Sequence, residues 1–328
     1  MVMGPKRFFR VFLGTLLQSV PTALGIVCIS FVILQMLPGD AADMLAMEAG
    51  ASDAGAIEAM RERYGLNLTW TEQLWAYFYN LAHLNLGMSV RLNAPVLDLI
   101  VGRIPDTLLL VFAALLLAIL VGVAIGCLMA AFSGTWIDRA LSLLVLIAYS
   151  VPGFWLALMA IFLFSVKLEW LPSGGYQTIG ANYTGLAAFA DRLQYLVMPA
   201  LSLALFYAAV YARLMRTSML EVRQQDYIRI AKAKGLTPAR IELRHAIPNA
   251  LIPLTTMAGI HVSGLFGGAM VVETVFGWPG MGRLTMEAMM ARDSNVLLGI
   301  ILFSSLIVIV TNIAVDLLQA WIDPRIKV

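Results

Sequence analysis

Side chains able to do chemistry are few and scattered in this chain. Its 22 Lys and Arg and 20 Asp and Glu make up only 13% of 328 positions, beside three histidines. His261, with Ser263 two positions on, sits in an apolar stretch and could hold a metal or pass a proton. A lone imidazole there more often bonds to a neighbouring helix or faces a pathway. Asp316 could relay an ion, although pairing with an arginine or capping a helix is the simpler role for one acid near a span end. His83 and His245 lie far away in sequence, so no metal-ligand spacing emerges. No Gly-x-x-x-x-Gly-Lys-Ser/Thr phosphate loop, Gly-x-Ser-x-Gly turn or His-Glu-x-x-His helix occurs. These absences argue against a phosphate-loop ATP site and against the common hydrolase centres. Basic residues meet aromatic ones only at the flanks of apolar runs, which gives nucleic-acid binding no support.

Positive charge concentrates in residues 226–249. Arg229, Lys232, Lys234, Arg240 and Arg244 interleave there with Ile228, Ile230, Leu236, Ile241 and Leu243. Met219–Lys234 is rich in helix formers, and Gly235 suits the left-handed position that closes a helix. Thr237 can act as N-cap with Pro238 at the first helical position. A short second helix is expected to run to Ile247, stopped by Pro248. Charge alone reads as a topology signal and a lipid-headgroup contact. The stiffness of a helix–Gly–helix unit suits a handle through which another protein delivers force.

The elements that must position this segment are apolar. Hydrophobic residues form 60% of the chain, and six uncharged stretches could each cross a bilayer as a helix of about 20 residues. They are residues 11–37, 107–137, 140–166, 193–212, 246–272 and 294–315. The fold class is therefore an all-α polytopic membrane bundle of six transmembrane helices. Placing Lys6, Arg7 and Arg10 in the cytoplasm puts Arg139, the basic 213–245 segment, Arg325 and Lys327 on the same side, most of the 22 Lys and Arg. That satisfies the positive-inside rule with both termini cytoplasmic. The first stretch is too long for a secretory signal and reads as a retained anchor. Cys28 and Cys127 lie inside apolar stretches as packing residues.

The chain reads as one transmembrane domain, 1–328. It carries an extracytoplasmic insert at 38–106 and a cytoplasmic segment at 213–249. Within the insert, an acidic helical stretch over Ala41–Arg63 precedes an aromatic amphipathic helix through Trp70, Trp75, Phe78 and Leu81. A further short surface helix is expected at Pro95–Ile100. Gly122 and Gly126 form a small-xxx-small pair that lets helix backbones approach. Pro152, Pro199 and Pro253 can kink spans. Residues Glu169–Asp191 form an external turn-rich loop. Glu273, Phe276, Pro279 and Gly280 belong to a sharp turn, either a plain connection or an outer gate beside a pathway. No internal repeat is visible.

Spacing in the basic segment leads further. Ala231-Lys232-Ala233-Lys234-Gly235, then His245 and Ala246-Ile247-Pro248, resemble the EAA loop of ABC importer permeases. The family's leading Glu falls at Arg229. Other motifs resemble the dipeptide/oligopeptide/nickel permease branch: Leu37-Pro38-Gly39-Asp40, Ser150-Val151-Pro152-Gly153, Trp170-Leu171-Pro172-Ser173-Gly174-Gly175-Tyr176, Arg213 to Glu221, Pro279-Gly280-Met281-Gly282 and Asp323-Pro324-Arg325. One departure is that Asp293 is followed by Ser294-Asn295, where the family often has a proline, so the local shape before the last span stays open. The long insert resembles the first of the two sister permeases, the dipeptide-permease B type.

The resemblance implies a type I ABC importer permease fold in a bacterial cytoplasmic (inner) membrane, moving short peptides, with nickel, glutathione or another small solute as alternatives. It implies no enzyme activity and no cofactor in this chain, with ATP and Mg used by two partner ATPase subunits. A sister permease and an extracytoplasmic solute-binding protein complete the expected assembly. ATPase coupling is expected at Arg229, Ala231, Ala233, Gly235, Leu236, Arg240, Arg244 and Pro248, and a gate or pathway at His261, Glu273, Phe276, Pro279 and Gly280. An ion-coupled carrier or channel would predict paired intramembrane charges or inverted repeats. An intramembrane enzyme would predict converging His, Asp, Glu or Ser groups.

Overall fold

Long apolar runs must satisfy their backbone hydrogen bonds internally, and the regular elements among the described residues are accordingly all helices, with one isolated bridge between Met88 and Pro95. The computed structural model describes residues 21–36, 39–44 and 54–322, without the side chains at 54, 56, 60, 64, 263 and 316–322. Lys6, Arg7, Arg10, residues 45–53, the Asp316 side chain, Arg325 and Lys327 therefore lie outside the described residues.

The elements are α1 Pro21–Gln35, α2 Ala54–Tyr64, α3 Trp70–Ala82, α4 Val96–Ala131, α5 Trp136–Ser150 and α6 Gly153–Ala160, which continues as a π-helix over Ile161–Lys167. After a loop come α7 Gly185–Arg223, α8 Asp226–Ala233, α9 Pro238–Ile241, a π turn Glu242–Ala246 and α10 Ile247–Ala250. The chain closes with α11 Ile252–Phe276, α12 Met281–Met290 and α13 Ser294–Ile322.

Among the described residues, α4, α7 and Ser294–Val315 of α13 are long and apolar enough to cross a membrane. The number rises to five if two bent pairs each count as one span, and Pro21–Gln35 is a shorter apolar helix. The third apolar stretch departs from a straight helix: α5 and α6 meet at 102°. Val151 is extended (φ −82°, ψ 131°) because Pro152 disfavours the helical region at the residue before it. The surface helix expected at Pro95–Ile100 is instead the first turns of α4, a single helix that contains Pro105. The external loop ends sooner than expected, since Gly185 already starts α7 and Asp191 lies within it.

Two compact units are present, Met1–Thr107 with Pro279–Val328, and Leu108–Trp278. In the first, Met281, Leu284 and Ala288 of α12 pack with Val296, Leu297 and Ile300 of α13 and with Val96 and Ile100. Gly299 makes this possible, because a Cβ there would lie 2.8 Å from Val96 Cγ1. Buried Asp293 organises the start of α13. It accepts a hydrogen bond from Ser89 Oγ at 2.6 Å and another from the Val296 amide, so the stretch without the family's proline has a well-defined N-cap.

In the second unit α7 is the central element, packed by α5, α6 and α11. Gly122 and Gly126 of α4 press on it. A Cβ at Gly122 would meet Ala208 O at 2.8 Å, and one at Gly126 would meet Ala212 O at 2.6 Å. Tyr211, Met215 and Met219 of α7 are buried in the same core.

Candidate functional site

The basic segment folds as a two-faced ledge on the second unit. Helical spacing puts Ile228 and Ala231 of α8, Ile241 of α9, and Ala246 and Ala250 on the inner face, all buried in the main core. Leu236 and Ile247 are partly buried against it. The outer face carries Arg229, Lys232, Lys234, Arg240 and Arg244, all exposed. With them stand two large apolar side chains, Ile230 at 55% and Leu243 at 70% exposure. A basic surface with bare aliphatic side chains is chemically suited to a protein partner, since apolar groups near the centre of an interface contribute most of its binding energy.

Of the two alanines expected to act alike, Ala231 is buried and seats the helix, whereas Ala233 is exposed. Arg229 lies only 3.5 Å from Asp226 one turn away, both highly exposed.

Gly235 has φ +75°, in the left-handed region that side chains disfavour. Its amide donates to Lys232 O at 2.9 Å and the Leu236 amide donates to Ala231 O at 3.3 Å. These are the two bonds of a Schellman motif, which satisfies the last carbonyls of α8. Thr237 holds the N-cap position with Pro238 following, but its side chain makes no capping bond.

Pro248 does not stop the helix. The backbone widens into the π turn over Glu242–Ala246, where the Ile247 amide reaches Glu242 O, and helix resumes through Pro248 to Ala250. In a regular α-helix the proline ring would clash with the carbonyl four residues back. The wider turn relieves that clash. The Asn249 side-chain amide, donating to His245 O at 2.6 Å, satisfies a neighbouring carbonyl.

Two arginines outside the expected set make long-range ties, Arg223 from the ledge to the bundle and Arg216 between α7 and α5. Arg223, at the end of α7, donates through Nε to Glu242 Oε1 at 2.9 Å and through Nη1 to the Ala130 carbonyl in the last turn of α4. Arg216 makes a two-pronged pair with Asp138, at 2.9 and 2.8 Å. Asp138 also accepts from the Gly134 amide at 3.0 Å. The Arg216 hydrogen bonds, helped by the Gly134 amide, hold the Asp138 carboxyl below the usual carboxylate range. Sequence reading passed over Arg216, Arg223, Asp138 and Glu242. A hint was available in Arg213, Arg216 and Arg223, which recur along α7 near helical spacing.

The expected gate residues divide between the two units. Within the second, Glu273, Phe276 and Trp278 are buried, and left-handed Gly277 (φ 65°) ends α11. The Phe276 carbonyl accepts from the Gly175 amide at 2.7 Å, and a Cβ on Gly174 would lie 2.7 Å from the same oxygen. The loop 168–184 and the end of α11 are thus locked together through two glycines. Pro279 and Gly280 begin the approach to α12, with Gly280 at its N-cap. His261 bonds through Nδ1 to the Tyr211 hydroxyl at 3.1 Å, with the Tyr207 ring 5.0 Å away.

This all-helical membrane bundle with an outward basic ledge has the build of a permease subunit. Residues 122–328 match the family described as binding-protein-dependent transport system inner membrane component. The chain is 36% identical to the oligopeptide transport system permease protein AppB of Bacillus subtilis, over 95% of this chain and 97% of that one. It is 39% identical to the probable D,D-dipeptide transport system permease protein DdpB of Escherichia coli, covering 92% and 93%. A putative peptide transport system permease protein of Brucella abortus is 37% identical, covering 94% and 96%. The fold is similar to that of an inward-facing structure of the MetNI methionine ABC transporter, with a TM-score of 0.55 at 21% identity, covering 69% of this chain and 97% of that one. The chain belongs to the binding-protein-dependent transport system inner membrane component family. Its role is that of the inner-membrane permease component of a binding-protein-dependent transport system.

Proposed function

We propose that this permease imports short peptides, handed over by an extracytoplasmic binding protein and driven by two cytoplasmic ATPase subunits that consume ATP and Mg. In this reading it pairs with a sister permease, crosses the membrane six times with both termini in the cytoplasm, and has no ATP site of its own. The outer face of the ledge, with Ile230, Ala233, Arg240, Leu243 and Arg244, receives the ATPase. Gly235 and the short helices after it carry the displacement into α7 and α4. A stiff element transmits motion that a loose loop would absorb.

The observation that carries this reading is the pairing of a bare basic–aliphatic outer face with an inner face seated in the core. The peptide cargo is supported by the relatives, whose names are those of peptide permeases. The test uses the complete transporter in proteoliposomes. Uptake of labelled dialanine should require ATP and the binding protein, and Leu243→Cys should crosslink to the ATPase. Uptake independent of ATP, or crosslinks to lipid alone, would count against it. A partner-free preparation of the chain should hydrolyse no ATP.

A further inference from the structure

Arg213 lies on α7 three residues before Arg216, yet the two guanidinium groups go opposite ways. Arg216 turns to Asp138 in the first turn of α5. At the other end of α5, Tyr149 stacks on Phe206 of α7, with ring centroids 5.0 Å apart and 20° between planes. The two helices therefore run antiparallel over this length. Asp138 and Tyr149 stand about 16 Å apart along the axis at ~1.5 Å per residue. The Arg213 guanidinium lies 4.8 Å from the Tyr149 ring centre, so it reaches back toward the apolar stretch 193–212. An arginine at a span end ordinarily snorkels toward the nearest water. This one does the reverse.

Arg213 is exposed on the unit, and among the described residues no carboxylate pairs with it. One aromatic contact offsets only part of what a cation loses on leaving water. Ionisable side chains at such depth almost always face a bundle interior or a water-filled cavity rather than lipid. Phe206, seven residues before Arg213 and so on the same helix face, is exposed beside Tyr149, and from it a row of rings leads inward to Tyr211, which is buried in the core. Phe206 meets Tyr207 edge-on at 5.2 Å, Tyr207 lies 5.0 Å from His261, and His261 bonds to Tyr211. A cation beside two exposed aromatic rings matches a short peptide, which carries a carboxylate at one end and amide and apolar groups along its length.

We infer that Arg213, Tyr149 and Phe206 line the translocation pathway and that Arg213, backed by Tyr149, receives the terminal carboxylate of the peptide in transit. The planar guanidinium offers two parallel donors to a carboxylate, which a point charge on lysine does not reproduce. The inference rests on the peptide-import reading above.

The test uses the assembled transporter with Cys28→Ser and Cys127→Ser. Arg213→Cys should react with a negatively charged methanethiosulfonate. Dialanine should slow that reaction at least fivefold, and dialaninamide, which lacks the carboxylate, should leave it unchanged. Arg213→Gln should lower dialanine uptake at least tenfold, with Arg213→Lys intermediate. An unreactive Arg213→Cys would overturn the proposal, as would equal protection by acid and amide. Loss of the assembled complex in Arg213→Gln would do so too, placing Arg213 against the sister subunit. If the wild-type transporter takes up no dialanine while Arg213→Cys still reacts and another carboxylate solute protects it, the peptide reading fails and the carboxylate site stands.

Discussion

Arg223 joins Glu242 of the ledge to the Ala130 carbonyl of α4 with a single guanidinium. Three elements distant in sequence thereby meet at one side chain, and the cation also sits where the C-terminal end of α4 is partially negative. In the proposed mechanism, displacement of the ledge would reach two long helices through this contact as well as through the core.

Removing the link should uncouple the machine. Each charge-assisted bond is worth roughly 1.5–3 kcal/mol, so Arg223→Gln or Glu242→Gln should lower uptake about tenfold while the ATPase subunits keep most of their turnover. The exchanged pair Arg223→Glu with Glu242→Arg should recover part of the uptake. Transport and ATP hydrolysis measured on the same proteoliposomes check this, and parallel loss of both activities speaks against it.

Gly235 has open space around a would-be Cβ, so its constraint is backbone conformation. Gly235→Ala should cost about 1–2 kcal/mol of local stability, the left-handed penalty, and leave uptake reduced but measurable. Gly235→Pro forbids φ +75° and deletes the amide bonded to Lys232. It should abolish uptake in a protein still inserted at wild-type level, as membrane fractionation with a transport assay would reveal.

The α4–α7 contact should tolerate no side chain. At Gly126 a Cβ would lie 2.6 Å from both Ala212 O and Met215 Cβ, and overpacking of this kind typically costs about 1–3 kcal/mol. Gly126→Val should lower the melting temperature in detergent. Gly134→Ala is a contrasting control, because its neighbourhood is open and its strain is limited to a surface turn.

Asp138 supplies a pH signature. Its carboxyl titrates below the usual range in the folded protein because Arg216 hydrogen-bonds the ionised form. The resulting stability is fully present above an unfolded pKa of about 3.9 and is lost as pH falls through the lower folded value. Asp138→Asn should therefore melt earlier than wild type by a constant margin from pH 5 to 8, and the margin should shrink below about pH 4. A margin independent of pH down to acid unfolding would rule out the ion pair as its source.

The outer face of the ledge offers a direct probe. Leu243→Asp replaces an exposed aliphatic contact with a charge, which should weaken co-purification of the ATPase at least tenfold without changing membrane insertion. Undiminished co-purification would place the docking face elsewhere.

Residue types with strong local rules were legible in the chain alone. Gly235 closes α8, Trp70–Ala82 is a helix, and Gly122 and Gly126 mark a close helix contact. Each follows from φ freedom, spacing or side-chain size within a few residues. The same local rules failed where a remedy came from outside their range. By local rules Pro248 stops a helix, yet a π turn starting six residues earlier absorbs it. A short surface helix is expected at Pro95–Ile100, but packing of Val96 and Ile100 on α12 and α13 carries one helix through.

The sequence by itself determined a helical membrane protein, the place of its basic segment and the glycine that ends a helix within it, since apolar length, charge and backbone freedom are properties of short stretches. Which arginine meets which carboxylate was decided by the tertiary structure. Arg216 finds Asp138 from 78 residues away, and Arg223 finds both Glu242 and Ala130. Such pairings depend on how closely α4, α5 and α7 approach, a distance set by packing in three dimensions rather than by spacing along the chain.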